Sequence, residues 1–220
     1  MVPELRKYFN ENFSQQVYEK FVTDLNTSYR FPVDFRVSET PLFLSEEFTK
    51  EITSAANEIA SITQTTEFLE GMKNAIPKGL SVPDEDEHPL FIQIDFAVCK
   101  DETGKFIPQL IELQGFPSLY CFQQLLTEKT LKYFDIPSGF TPFFNGINEQ
   151  SYKKLLYEVI VGSSHPENVI LLEIDPWNQK TRIDFLCTEQ MLGINTVCIS
   201  DIIKKGNKLF YLNNNKEIPI

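Results

Sequence analysis

The spacing of apolar residues along the chain changes character several times, and each change predicts a different element. Leu5, Phe9, Phe13, Val17, Phe21 and Leu25 recur every four residues, which predicts one amphipathic helix over residues 4 to 26. Thr40 to Leu44 reads as a short extended segment leading into a second helix. Ser45 is its N-cap, Glu46 and Glu47 favour the positive end of its dipole, and Phe48, Ile52, Ala55, Ile59 and Ile62 form its apolar stripe. The run from Ser81 to Pro89 is charged and bounded by prolines, so it predicts a solvated loop. Two apolar runs follow, Ile92–Val98 and Pro108–Leu113, separated by Asp101-Glu102-Thr103-Gly104-Lys105. This predicts a β-hairpin with Gly104 available for positive φ.

Pro117 suits the first turn of the next helix, which Leu119, Phe122, Leu126 and Phe134 continue. Residues 136–148, rich in Pro, Gly, Asn and Phe, predict a linker between a module at 1–135 and a second unit at 149–220. Past the linker the order is β–α–β: a helix at about Glu149 to Val161, a strand at Val169–Ile174, a helix from Arg182 to Leu192 stopped by Gly193, and a strand at Thr196–Ile199. A strand–helix–strand unit this short implies a parallel pair and an α/β class. Lys208–Leu212 and Glu217–Ile220 read as closing strands, the last as the start of one that is not continued. That ending predicts a fragment of a longer protein.

The hairpin carries the chemistry. Side chains alternate faces along a strand, so Glu112 and Gln114 share one face, and pairing of the two runs can bring Asp95 to them. Three oxygen donors on one sheet face suit a hard divalent cation such as Mg²⁺ held against phosphate oxygens. The competing reading is a polar hairpin face turned to solvent, which antiparallel sheets commonly present. The apolar flanks Ile92, Ile94, Phe96, Val98, Leu110, Ile111 and Leu113 predict instead a largely buried sheet whose polar groups need a partner. The loop Gly115–Ser118 is a phosphate-binding candidate at a helix N-terminus through Ser118, and equally a plain turn. Cys121, at the same helix start, reads as a packed thiol. Asp175–Gln179 lies at the carboxyl end of a strand, where α/β sheets bind ligands, but has no Gly-rich phosphate fingerprint. Trp177 there reads as a surface contact; Lys180 and Arg182 could face an anion, and ordinary surface charges at a capped helix entry explain them as well.

Composition narrows the partners. The 220 residues carry a formal charge of −11, which argues against a nucleic-acid or anionic-membrane surface. No apolar run reaches the length of a membrane span, and no secretory signal opens the chain. Four cysteines without CxxC spacing read as reduced thiols in a cytoplasmic protein.

Taken in order, Asp95-Phe96, an acidic turn with Gly, Leu110-Ile111-Glu112-Leu113-Gln114 and a Pro-Ser turn into a helix resemble the circularly permuted ATP-grasp proteins, whose members include glutathionylspermidine synthase-like carboxylate–amine ligases. The resemblance covers roughly residues 30 to 220, with Asn168–Thr181, Asp184-Phe185, Leu192-Gly193-Ile194 and Leu209–Tyr211 resembling the pre-ATP-grasp unit. It implies an α/β fold, with an α+β module followed by a small Rossmann-like unit, Mg²⁺ and ATP as cofactors, and Asp95, Glu112 and Gln114 as metal ligands. It also implies small-molecule carboxylate and amine substrates. Two departures stand out: Gln114 replaces the family's Asn, and Gln93 stands where an Arg is common. A third is that the part gripping adenine and phosphates follows the pre-ATP-grasp unit in the family, which implies that this chain alone is inactive. The alternative expectation is a non-catalytic scaffold that binds a ligand or protein. An aromatic surface at the C-terminal end is a candidate homodimer interface or the seat of a missing domain.

Overall fold

The computed structural model describes residues 2–86, 88–116 and 118–220 and bears out a mixed α/β class. In chain order the elements are α1 (Pro3–Glu11), α2 (Gln15–Thr27), α3 (Glu46–Ile62), α4 (Thr66–Lys73), β1 (Gln93–Lys100), β2 (Phe106–Gln114), α5 (Tyr120–Tyr133), α6 (Glu149–Ile160), β3 (Ile170–Glu173), α7 (Arg182–Leu192), β4 (Asn195–Cys198), β5 (Ile203–Lys205), β6 (Lys208–Asn213) and β7 (Lys216–Pro219). The chain groups into two compact units, one of residues 1–12 and 42–118, the other of 13–41 and 119–220. The segment 136–148 lies within the second unit as irregular structure.

The helix expected over 4 to 26 is two helices. Asn12 ends α1, its side-chain Nδ2 donating to the Tyr8 carbonyl at 2.8 Å, and Ser14 opens α2 by accepting the Val17 N–H at 3.4 Å. Asn and Ser hydrogen-bond local backbone and so favour helix ends, which outweighs an unbroken apolar period. In the first unit, Phe9 of α1 is buried against Phe43, ring centroids 5.2 Å apart. Ser45 caps α3 as expected, accepting the Phe48 N–H at 3.3 Å, and Thr65 caps α4, a helix the apolar period did not signal.

In the second unit, α2 packs on α5. Phe21 is buried edge-to-face on Phe134 at 5.2 Å, and Leu25 is fully buried. Beside them Asp24 meets Lys132 at 2.6 Å, Lys129 at 3.2 Å and the Tyr133 hydroxyl at 3.0 Å. The Lys132 contact above all holds the Asp24 carboxyl down at about 2. Strands β3 and β4 pair in parallel, Ile170 opposite Asn195 through Glu173 opposite Cys198, with α7 between them in sequence. Gly193 terminates α7 at φ +71, donating its N–H to the Glu189 carbonyl at 2.9 Å. The last three strands form an antiparallel meander, so the run at 217–220 belongs to a paired strand. Its β6–β7 turn places Asn214 and Asn215 at positive φ. Val197, Tyr211 and Ile218 form the core there.

One tertiary contact organises the α5–α7 packing. Helix α5 begins at Tyr120, and Leu119 at its N-cap is left-handed, φ +59, with no side-chain cap of its own. Pro117, expected in the first turn, lies outside the described residues. The cap comes from α7: buried Asp184 accepts the Leu119 N–H at 3.1 Å and the Phe122 N–H at 2.7 Å. Burial pushes its carboxyl up from 3.8 to about 6, against the pull of the backbone donors.

Asp184→Ala leaves those donors without an acceptor and is expected to lower the unfolding free energy by about 1–3 kcal/mol in a denaturant titration. Because the folded value is raised, the stability contributed by Asp184 is fully present below pH 3.8 and is lost as pH rises through about 6. The stability difference between wild type and Asp184→Asn is therefore expected to shift against wild type across that window. A difference that does not change with pH would contradict the account.

Candidate functional site

The site is built outward from the hairpin turn. Asp101 Oδ1 accepts the Thr103 N–H at 2.8 Å, the Thr103 hydroxyl at 2.7 Å and the Lys105 N–H at 2.9 Å, while Gly104 takes φ +83. This carboxylate is committed to the turn, and the Thr103 hydroxyl leads the contacts holding its pKa low. From the turn the strands pair one for one, Lys100 opposite Phe106 through Phe96 opposite Leu110.

The register then shifts by one. Asp95 stands opposite Glu112 and Gln93 opposite Gln114, so Ile111 is an extra residue in β2, a β-bulge. Had the turn-end register continued, Ile111 would face Asp95, and Glu112 would be paired with Ile94 on the other side of the sheet. The bulge puts the polar side chains together, because residues directly opposite one another project from the same face. The structure thus places the three expected residues, Asp95, Glu112 and Gln114, on one face, and adds Gln93 to them.

Each carboxamide turns to the carboxylate on its own strand. Gln93 Nε2 donates to Asp95 Oδ1 at 3.3 Å, and Gln114 Nε2 donates to Glu112 Oε1. Among the described residues, Gln93 Oε1 is buried without a hydrogen-bond partner. Among the described residues, no group of three or more His, Cys, Asp or Glu side chains is placed to hold a metal. A cation here would rest on two carboxylates, supplemented by carboxamide oxygens. Those residues fit a hard divalent ion: every available donor is an oxygen, and one of them is buried and unspent.

The expectation of a largely buried sheet is corrected. Glu112 is exposed and so are Leu110 (52%), Ile111 (65%) and Leu113 (38%). Among the described residues the sheet has two strands, and α3 meets it at its turn end, where Phe48 meets Phe106 edge-on and Lys105 pairs with Glu51 at 2.5 Å.

Of the other candidates, Ser118 follows Gln114 by four positions, and Cys121 and Asp175 lie further along the chain. Ser118 is half-buried and does not cap α5; the Asp184 carboxylate satisfies the amides at which a phosphate would be sought. Cys121 is buried, which raises its thiol to about 11, as fits a packed residue. Asp175 is left-handed at φ +48, its carboxylate accepting from Asn178 Nδ2 at 3.0 and 2.9 Å. Two residues have roles that the sequence reading did not give them. Gln93 was signalled by its period-two spacing from Asp95, and Asp184 by nothing local.

Compared with family models, with curated proteins and with solved structures, the chain matches none.

Deleting Ile111 removes the bulge and lets the ladder run unbroken with Asp95 still opposite Glu112. Nuclear Overhauser contacts across the strands at this pair are expected in wild type and in the deletion variant alike. Their appearance instead between Asp95 and Leu113 would show a different register.

Proposed function

We propose that the β1–β2 hairpin is the divalent-cation element of an ATP-grasp-like, ATP-dependent carboxylate–amine ligase. The reading rests on one observation, the bulged register that sets Asp95 opposite Glu112 and Gln93 opposite Gln114. Asp95 and Glu112 would hold Mg²⁺, with Gln114 turning its amide oxygen inward. A bound Mg²⁺ supplies charge neutralisation to phosphoryl groups during transfer to a carboxylate. Magnesium commonly keeps several waters and takes one or two carboxylates together with substrate phosphates, a coordination that this sparse donor set suits. The exposure of Glu112 leaves the patch open to a nucleotide from solvent. Cytoplasmic residence goes with this reading and with four free cysteines, two of them buried. Among the described residues no helix is long and apolar enough to cross a membrane.

A second reading, a non-catalytic scaffold that binds a ligand or a protein partner, is favoured by the exposed apolar residues Leu110, Ile111 and Leu113 on the same hairpin.

Calorimetric titration of Mg²⁺ into the chain separates the two. The ligase reading expects saturable binding that is weakened at least about tenfold by Glu112→Gln, the loss of a charge-assisted ligand. Exchanging two neighbours, Glu112→Leu with Leu113→Glu, keeps composition but moves the carboxylate to the opposite face and is expected to weaken binding as much. No saturable binding of Mg²⁺, or binding indifferent to both variants, would leave the scaffold reading.

A further inference from the structure

We infer that Arg30 and Arg182, held over the rings of Phe31 and Trp177, form a binding site for the phosphate group of a small molecule. The inference is independent of the hairpin and lies wholly within the second compact unit. The Phe31 and Trp177 rings stack at 5.9 Å and 30°. The Arg30 Cζ lies 4.4 Å from the Trp177 centroid and 5.3 Å from that of Phe31, and the Arg182 Cζ lies 5.2 Å from Phe31. Two cations therefore share one ring.

A guanidinium stacked on an aromatic face spends its face and keeps its planar edge of N–H donors. Arg30 is exposed and, among the described residues, makes neither a hydrogen bond nor an ion pair, so its fork is preorganised and unspent. Arg182 is only loosely engaged. Its Nη1 reaches the Gln179 carbonyl at 3.4 Å and its Nη2 the Asp34 carboxylate at 3.5 Å. Among the described residues its Nε is buried with no hydrogen-bond partner, so this guanidinium is held by two long contacts at Nη1 and Nη2, the positions for which an oxyanion would compete. The place is also one where ligands are bound in α/β proteins. Trp177 follows the carboxyl end of β3, and Arg182 is the first residue of α7, which leads into the parallel partner β4. The positive end of α7 favours an anion there, and Thr181 at its N-cap gives no side-chain acceptor.

The pair of guanidinium forks selects phosphate over a lone carboxylate. Asp34 offsets Arg182 at 3.5 Å, and the Asp175 carboxylate is oriented by the Asn178 amide. A group with three oxygens can take bidentate contacts from both forks, which a carboxylate with two cannot.

Trp177 is the single tryptophan, so its fluorescence reports on this site alone. Inorganic phosphate and glycerol phosphate are titrated into the chain at constant ionic strength, with the indole N–H resonance of Trp177 as second readout. A saturable change is expected, at least about tenfold weaker in Arg30→Gln and unaltered in Arg36→Gln, whose exposed guanidinium already pairs with Glu39. Tighter binding of the ester identifies an organic phosphate as the ligand, and equal binding identifies free phosphate. Absence of saturation in both readouts, reproduction of the change by chloride alone, or equal weakening by Arg36→Gln would overturn the inference.

Discussion

A single supernumerary residue decides what the hairpin can do. The turn at Asp101 and Gly104 fixes the register at one end, and the one-for-one pairing it starts would send Glu112 and Gln114 to the face away from Asp95. Ile111 absorbs the difference. Its side chain is exposed, so this residue contributes little burial of its own; its value lies in its count along the strand. The gathering of two carboxylates and two carboxamides is thus a property of backbone register, which no single polar side chain could produce.

That dependence explains why the site was only half legible in the sequence. Period-two alternation placed Glu112 with Gln114 and, had it been extended, Gln93 with Asp95. It carries no information about an insertion, so which pair meets which could not be read. The apolar flanks misled for a related reason. In a broad sheet they would be buried, but with two strands and α3 at one end, Leu110 and Leu113 remain in solvent.

Elsewhere, local chemistry was the better guide. Ser45, Gly193 and the Asn-rich turn at 214–215 act as their residue types predict. The β–α–β order of the second unit was likewise plain from apolar runs and breakers. The break between α1 and α2 shows the converse. A regular four-residue apolar spacing runs through it, yet Asn12 and Ser14 close one helix and open the next, sending Phe9 to one compact unit and Phe21 to the other. The Asp184 cap on α5 had no local signature, because donor and acceptor lie on helices far apart in the chain. It also shows how an acidic chain uses its charges. Asp24 and Asp184 are tied into packing, the first by lysines and the second by amides, while Arg30, among the described residues, is engaged only by the rings it lies over.

The central claim, that the bulged hairpin gathers a cation-binding set of oxygens, is tested most directly by paramagnetic broadening. Trace Mn²⁺ is added to the isotope-labelled chain and the amide resonances are followed. The account predicts selective loss of signal at residues 93–95 and 112–114 at far below one equivalent of metal. Broadening centred instead on the acidic loop at 84–86, or spread evenly over the carboxylates of the surface, would contradict it.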